Sequence, residues 1–167
     1  GKYNNYEIDT VLSQLKSNDF SKDKTYRSYV LLGMIEDMKF QHEKAREYFK
    51  KYGELTKNPF YNVYISTSFT KEGKYEDALE ELKKINLNNY HLWGVFFEFG
   101  KVYRELGQLE EAHKYLKIAY HKRGNKLELV NSIAKNYLYQ AKFLKANYWQ
   151  FKYCFILLMM GYPSSFV

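Results

Sequence analysis

The sequence predicts an all-α chain built as a stacked array of antiparallel helix pairs. Three observations point there. Ala45, Ala78, Ala112 and Ala146 fall 33, 34 and 34 residues apart. Each has a small residue twelve positions upstream, namely Gly33, Ser66, Gly100 and Ala134. Only 2 Pro and 9 Gly interrupt 167 residues, which leaves room for long helices. A fixed period of this size is the mark of a repeat architecture. The small pairs have a steric reason. Where two helices cross at roughly 8–10 Å between axes, large side chains do not fit between the backbones.

The elements follow in order. Ile8, Val11, Leu12 and Leu15 lie on one face of a helix over residues 6–18. Val11 is 34 residues before Ala45, so this stretch (1–25) is expected to be an N-terminal half-unit. The first full unit, 26–58, has Tyr29, Leu32 and Gly33 on one helix and Ala45, Phe49 and Tyr52 on the next. The second, 59–92, opens at Pro59 after a capping Asn58, turns at Gly73, and continues with Tyr75, Ala78, Leu82 and Ile85. The third, 93–126, is the clearest. Trp93, Phe96, Phe99, Gly100 and Tyr103 recur at helical steps, Gly107 marks the turn, and Leu109, Ala112, Leu116 and Ala119 form the second face. The fourth, 127–167, pairs Val130, Ile133, Ala134 and Tyr137 with Phe143, Ala146 and Tyr153, and runs on through an apolar segment to Met160.

These residues resemble the tetratricopeptide repeat family. Phe96-x-x-Phe99-Gly100-x-x-Tyr103 with Ala112-x-x-x-Leu116 follows its pattern, as does Tyr29-x-x-Leu32-Gly33 with Ala45-x-x-x-Phe49. The resemblance covers about residues 26–160 and implies a right-handed superhelical solenoid. Departures are Glu36 for an aromatic, Asn62 and Gln150 for large apolar residues, and turns at Phe40-Gln41 and Ala141-Lys142 that lack Gly. A rival likeness, to pentatricopeptide RNA readers, rests on Phe60–Ile65 and Gly73–Ala78.

Composition limits the function classes. The chain has 46% hydrophobic residues, 18 Tyr and 12 Phe, a content that excludes a disordered chain. Net charge is +7, and residues 93–167 hold eleven Lys or Arg against five Asp or Glu, with no acid past Glu128. One cysteine, Cys154, allows no internal disulfide and fits a reducing compartment or a chain that needs no staples, and the expected setting is cytoplasmic or otherwise soluble intracellular. The run from Cys154 to Met160 is shorter than the ~20 residues a membrane span needs. No signal peptide is visible, and a chain opening at Gly1 leaves an upstream segment open.

Catalysis finds no support. The histidines at 42, 91, 113 and 121 show no ligand spacing, and no Gly-rich phosphate loop is present, so no catalytic residue, metal or cofactor is expected. The expected function is protein–protein interaction, as a scaffold, adaptor or chaperone-like module. In the family the first helix of each pair lines a concave groove. The resemblance therefore implies a peptide-binding groove at Met34, Met38, Val63, Tyr64, Thr67, Phe97, Lys101, Arg104, Lys135 and Tyr139. Such a groove would suit a partner with apolar and acidic side chains. Val63 and Phe97 can equally pack between helices. A peptide-sensing domain of a bacterial regulator is an alternative. So is single-strand nucleic acid binding through Lys135, Lys142, Lys145 and Lys152 interleaved with Tyr139, Tyr148, Trp149 and Tyr153.

Some family members clamp a chaperone's carboxylate tail with a Lys-Asn-Asn-Lys-Arg set. The matching positions here are Val30, Met34, Tyr64, Gly94 and Glu98, or Val63, Thr67, Glu98, Glu128 and Ser132. Neither set has the donors, so no such clamp is expected. Phe155, Leu158 and Met159 mark an apolar end that would suit a homodimer contact or the edge of a longer array.

Overall fold

A computed structural model describes residues 26–88, 92–124 and 126–160, so the expected helix over 6–18 lies outside the described residues. The described residues form eight α-helices and no strand: α1 Tyr26–Met38, α2 His42–Thr56, α3 Tyr61–Lys71, α4 Tyr75–Lys83, α5 Trp93–Glu105, α6 Leu109–Arg123, α7 Leu127–Tyr139 and α8 Phe143–Met159. They group into two compact units, one ending at Ile85 and one beginning at Asn86. In the first, α1 packs on α2, α2 on α3, and α3 on α4; in the second, α5 packs on α6, α6 on α7, and α7 on α8. The expected all-α class of antiparallel helix pairs is what the described residues adopt.

All four pairs turn in the same way. The first-helix carbonyls of Glu36, Phe69, Tyr103 and Tyr137 accept from the N–H of Gln41, Lys74, Gln108 and Lys142 at 2.9, 3.0, 2.9 and 2.9 Å. This six-residue closure needs a left-handed residue just past the helix end. Gly73 (φ 76°) and Gly107 (φ 74°) supply it in the middle two turns. The outer two lack glycine, yet Phe40 (φ 62°) and Ala141 (φ 55°) adopt the same conformation. The geometry is kept where the sequence does not favour it.

The four alanines are fixed by the next step of that closure. The N–H of Ala45, Ala78, Ala112 and Ala146 donates to the carbonyl of Gln41, Lys74, Gln108 and Lys142, starting the second helix in register each time. All four are buried, and so are Gly33, Ser66, Gly100 and Ala134. A Cβ on Gly100 would sit 2.6 Å from Leu116 Cγ, closer than a carbon–carbon contact permits. The absent side chain is what lets α5 lie on α6.

Neighbouring pairs are joined by two contacts that recur in both units. Ser68 Oγ on α3 donates to the carbonyl of His42, the first residue of α2 (3.4 Å). At the corresponding place Asn136 Nδ2 on α7 donates to the carbonyl of Leu109, the first residue of α6 (3.2 Å). Beside them the Arg46 guanidinium lies 4.2 Å from the Phe69 ring centre, and the His113 ring lies 4.9 Å from that of Tyr137. Apolar packing completes each junction. Phe49 stacks on Tyr64 in the first unit, and Phe96, Leu116, Ala119, Leu129 and Ile133 close together in the second. Among the described residues no helix is long and apolar enough to cross a membrane.

Candidate binding faces of the first helices

In the second unit the expected binding residues fall on α5 and α7. Phe97, Lys101 and Arg104 are spaced by four and three residues, so they share one stripe of α5. The Arg104 guanidinium reaches α7, where Nη1 donates to Ser132 Oγ at 2.8 Å, and its Cζ lies 5.9 Å from the Tyr139 ring centre. The geometry thus brings Phe97, Lys101, Arg104, Ser132 and Tyr139 into one patch. It also uses up most of the charge. Lys101 Nζ donates to the Glu98 carboxylate at 2.9 and 3.2 Å, and Arg104 bonds Glu105 at 3.0 Å. Glu98 is itself buried. Lys135 is exposed and has no acid partner among the described residues. Expected as one of three free cations, it is left as the one an incoming carboxylate can meet without displacing an internal acid.

The expected residues of the first unit separate. Met34 and Met38 on α1 are exposed. Val63 is 6% exposed, which withdraws it from any ligand. Tyr64 sits among Phe49, Tyr52 and Phe60, with ring centres 5.2, 6.0 and 5.3 Å away, and so fills the junction of α2 and α3. The Thr67 hydroxyl donates to the Val63 carbonyl of its own helix at 2.9 Å.

A polar cluster in the first unit escaped the sequence reading. Asp37 Oδ1 lies 2.6 Å from His42 Nδ1, and its other oxygen takes the Lys71 ammonium. Arg46 pairs with Glu72 at 2.9 Å, and Lys74 joins the same carboxylate at 3.2 Å. Burial pushes the Asp37 carboxyl up, but the hydrogen bond and charge of Lys71 together with the bond to His42 outweigh it and hold it below the usual carboxylate range. Glu72 is likewise raised by burial and lowered further by Arg46 and Lys74, for a net depression. Serine, histidine and aspartate are the residue types of a hydrolase triad. Here Ser68 Oγ is buried and donates to the His42 carbonyl while accepting from Arg46, so it is placed to join helices rather than to attack a substrate. The only hint in the sequence is a pair of opposite charges, Asp37 and Lys71, one repeat apart.

The interleaved cations and aromatics around α8 divide: Lys145 and Tyr148 are exposed, while Trp149 and Lys152 are half-buried against the preceding helices. Lys142 meets Glu110, Lys145 lies 5.8 Å from the Tyr137 ring centre, and Lys152 Nζ lies 2.5 Å from the Tyr120 hydroxyl. Trp149 packs edge-on to Tyr120 at 5.0 Å. Among the described residues no group of three His, Cys, Asp or Glu could hold a metal ion.

No family model and no curated protein matches the chain. Solved structures do. A chain of the APC/C hetero-tetramer Cut9–Hcn1 superposes at a TM-score of 0.74 with 14% identity, over 91% of this chain and 29% of that one. The first TPR of Spaghetti (RPAP3), bound to HSP90 peptide SRMEEVD, superposes at 0.61 with 17% identity, over 70% and 93%. The fold is the tetratricopeptide repeat. MamA (41-end) from Desulfovibrio magneticus RS-1 is similar at 0.65 with 16% identity, over 87% and 83%. At these identities the tetratricopeptide likeness is one of fold.

Proposed function

We propose that the chain is a non-catalytic protein–protein interaction module, a scaffold or adaptor that holds a peptide or helix of a partner on its first-helix faces. The observation that carries this reading is the α5–α7 patch. After the core and the internal ion pairs have taken their residues, Lys135 and Tyr139 remain exposed four residues apart on α7, a cation and an aromatic on one helical face. Aromatic and cationic anchors of this kind dominate peptide and protein recognition. The tetratricopeptide fold adds support, since the RPAP3 domain is itself a peptide-bound member. The ligand differs, however. At a clamp position stands Glu98, buried and paired with Lys101, which offers a carboxylate tail no donor.

Panning a random peptide library against the protein tests the proposal. Enriched peptides should combine an acid with an apolar or aromatic residue. Their affinity should fall about tenfold or more when Lys135→Glu is combined with Tyr139→Ala, the scale of a lost interface anchor. Unchanged affinity in that variant, or enrichment of no peptide, would refute the reading. Lys135 and Tyr139 are better choices than Arg104, whose removal would also break the bond to Ser132.

A further inference from the structure

The last helix carries a second, separate surface. Leu144, Tyr148, Phe151, Phe155 and Leu158 recur at steps of four, three, four and three, the spacing of a coiled-coil seam. All five are exposed, from 48% for Leu158 to 89% for Leu144. The seam spans two heptads, about 21 Å of helix at 1.5 Å per residue.

The repeat itself shows that this stripe is not ordinary packing. At the corresponding positions α2 carries Glu43, Glu47, Lys50 and Glu54, with Lys57 just past its end, and all of these are exposed. On α6 the first four are Glu110, Lys114, Lys117 and His121, again exposed. The stripe also differs from the surface by which a second helix seats the following first helix. On α2 that surface is Arg46, Phe49, Tyr52 and Gly53; the matching residues on α8 are Asn147, Gln150, Tyr153 and Cys154. Phe49 and Leu116 are core residues, and Gln150 stands in their place. The two surfaces lie roughly 110° apart around the helix at 3.6 residues per turn. Where its sister helices face water with charge, α8 faces it with five large apolar side chains.

We infer that this seam is a docking site for one amphipathic helix of another protein, apolar at a matching three–four spacing and acidic along its flanks. Charge selects the occupant. In the register set by the seam, the flanking positions hold exposed Lys145 and half-buried Lys152, which also bonds the Tyr120 hydroxyl, on one side and uncharged Asn147 and Cys154 on the other. No acid lies anywhere past Glu128. A second copy packed antiparallel would bring Lys145 against Lys152, and packed parallel it would gain no ion pair. A helix with glutamates at its flanks gains pairs along the lysine edge, the contacts that set partner choice in coiled coils.

Two synthetic helices of about three heptads test this, both with leucine along the seam, one flanked by glutamate and the other by lysine. Fluorescence anisotropy with the full chain should show the glutamate peptide binding at least about tenfold tighter, with the difference shrinking at high salt. Phe151→Lys with Phe155→Glu should abolish binding. Those substitutions place on α8 what α2 already carries as Lys50 and Glu54, so helicity should be retained, and circular dichroism checks it. Equal affinity for the two peptides, or binding of neither, overturns the inference. So does a dimer in sedimentation that the Phe151→Lys/Phe155→Glu variant dissolves, because a second copy would then hold the seam.

Discussion

Consider the turn that closes the fourth helix pair. Ala141 stands at φ 55°, where Gly107 stands at φ 74° one repeat earlier, and the same backbone closure follows both. For an L-residue the left-handed conformation costs roughly 1–2 kcal/mol, because Cβ crowds the following carbonyl. Against this, glycine loses about 0.4–1 kcal/mol more conformational entropy on folding than alanine does. The two combine to a net gain of about 0.5–1 kcal/mol for Ala141→Gly. Gly107→Ala should lose a similar amount. No atom lies within 4 Å of a Cβ built on Gly107, so no steric clash adds to that loss. Ala141 is exposed, so its methyl takes no packing with it. Both sites belong to the second unit, and urea titration followed by circular dichroism would read both. Opposite shifts of the midpoint at constant slope are expected. If Ala141→Gly lowered stability, or Gly107→Ala left it unchanged, the turn geometry argued above would be wrong.

Other expectations concern the junctions between pairs. Gly100→Ala should destabilise the second unit by about 1–3 kcal/mol, as overpacking does, because its Cβ meets both Leu116 and the Ala112 carbonyl; a melting curve like that of the unaltered protein would contradict this. Arg46→Ala should cost the first unit about 2–4 kcal/mol, since it strands Glu72 against Lys74 alone and removes the contact with Phe69. Acid should weaken the first unit in a defined way. The Asp37 carboxyl is depressed in the folded chain, so the unfolded state binds its proton first. The resulting stability is fully present above the ordinary carboxylate pKa of about 4 and is lost as pH falls from there through the folded value. Asp37→Asn should flatten that part of a stability–pH profile. His113 behaves in the same sense at higher pH. Burial lowers its pKa, so the second unit should lose stability as pH falls through the ordinary histidine value of about 6.5. His113→Gln should remove the dependence in a urea series from pH 8 to pH 5.

The chain's own order of residues sufficed for the helix pairs. Their signals are local: a period near 34, small residues where backbones cross, and apolar residues at steps of three and four. Those features depend on neighbours a few residues away, or on a nearly constant spacing that recurs three times. The outer turns were less legible. Phe40 and Ala141 are poor residues for a left-handed site, and only the packing of the helices on either side holds them there. The candidate site was legible in its residues but not in their state. Lys101, Arg104 and Lys135 look alike in sequence, yet Glu98, Glu105 and Ser132 engage the first two and leave the third.

What the sequence determined by itself, then, is an all-helical chain of tetratricopeptide-like pairs and the positions at which first helices can show side chains. Tertiary structure decided which of those side chains are available. Asp37 and Lys71, Arg46 and Glu72, and Arg104 and Ser132 are 34, 26 and 28 residues apart, and no local rule couples them. The apolar segment of α8 shows the same division. Its hydrophobicity is evident from residue types, but whether Phe151 and Phe155 enter a core or face water depends on which side of the helix its neighbours cover. The core takes Ala146 and Leu157 from the opposite side, and that choice leaves the seam exposed.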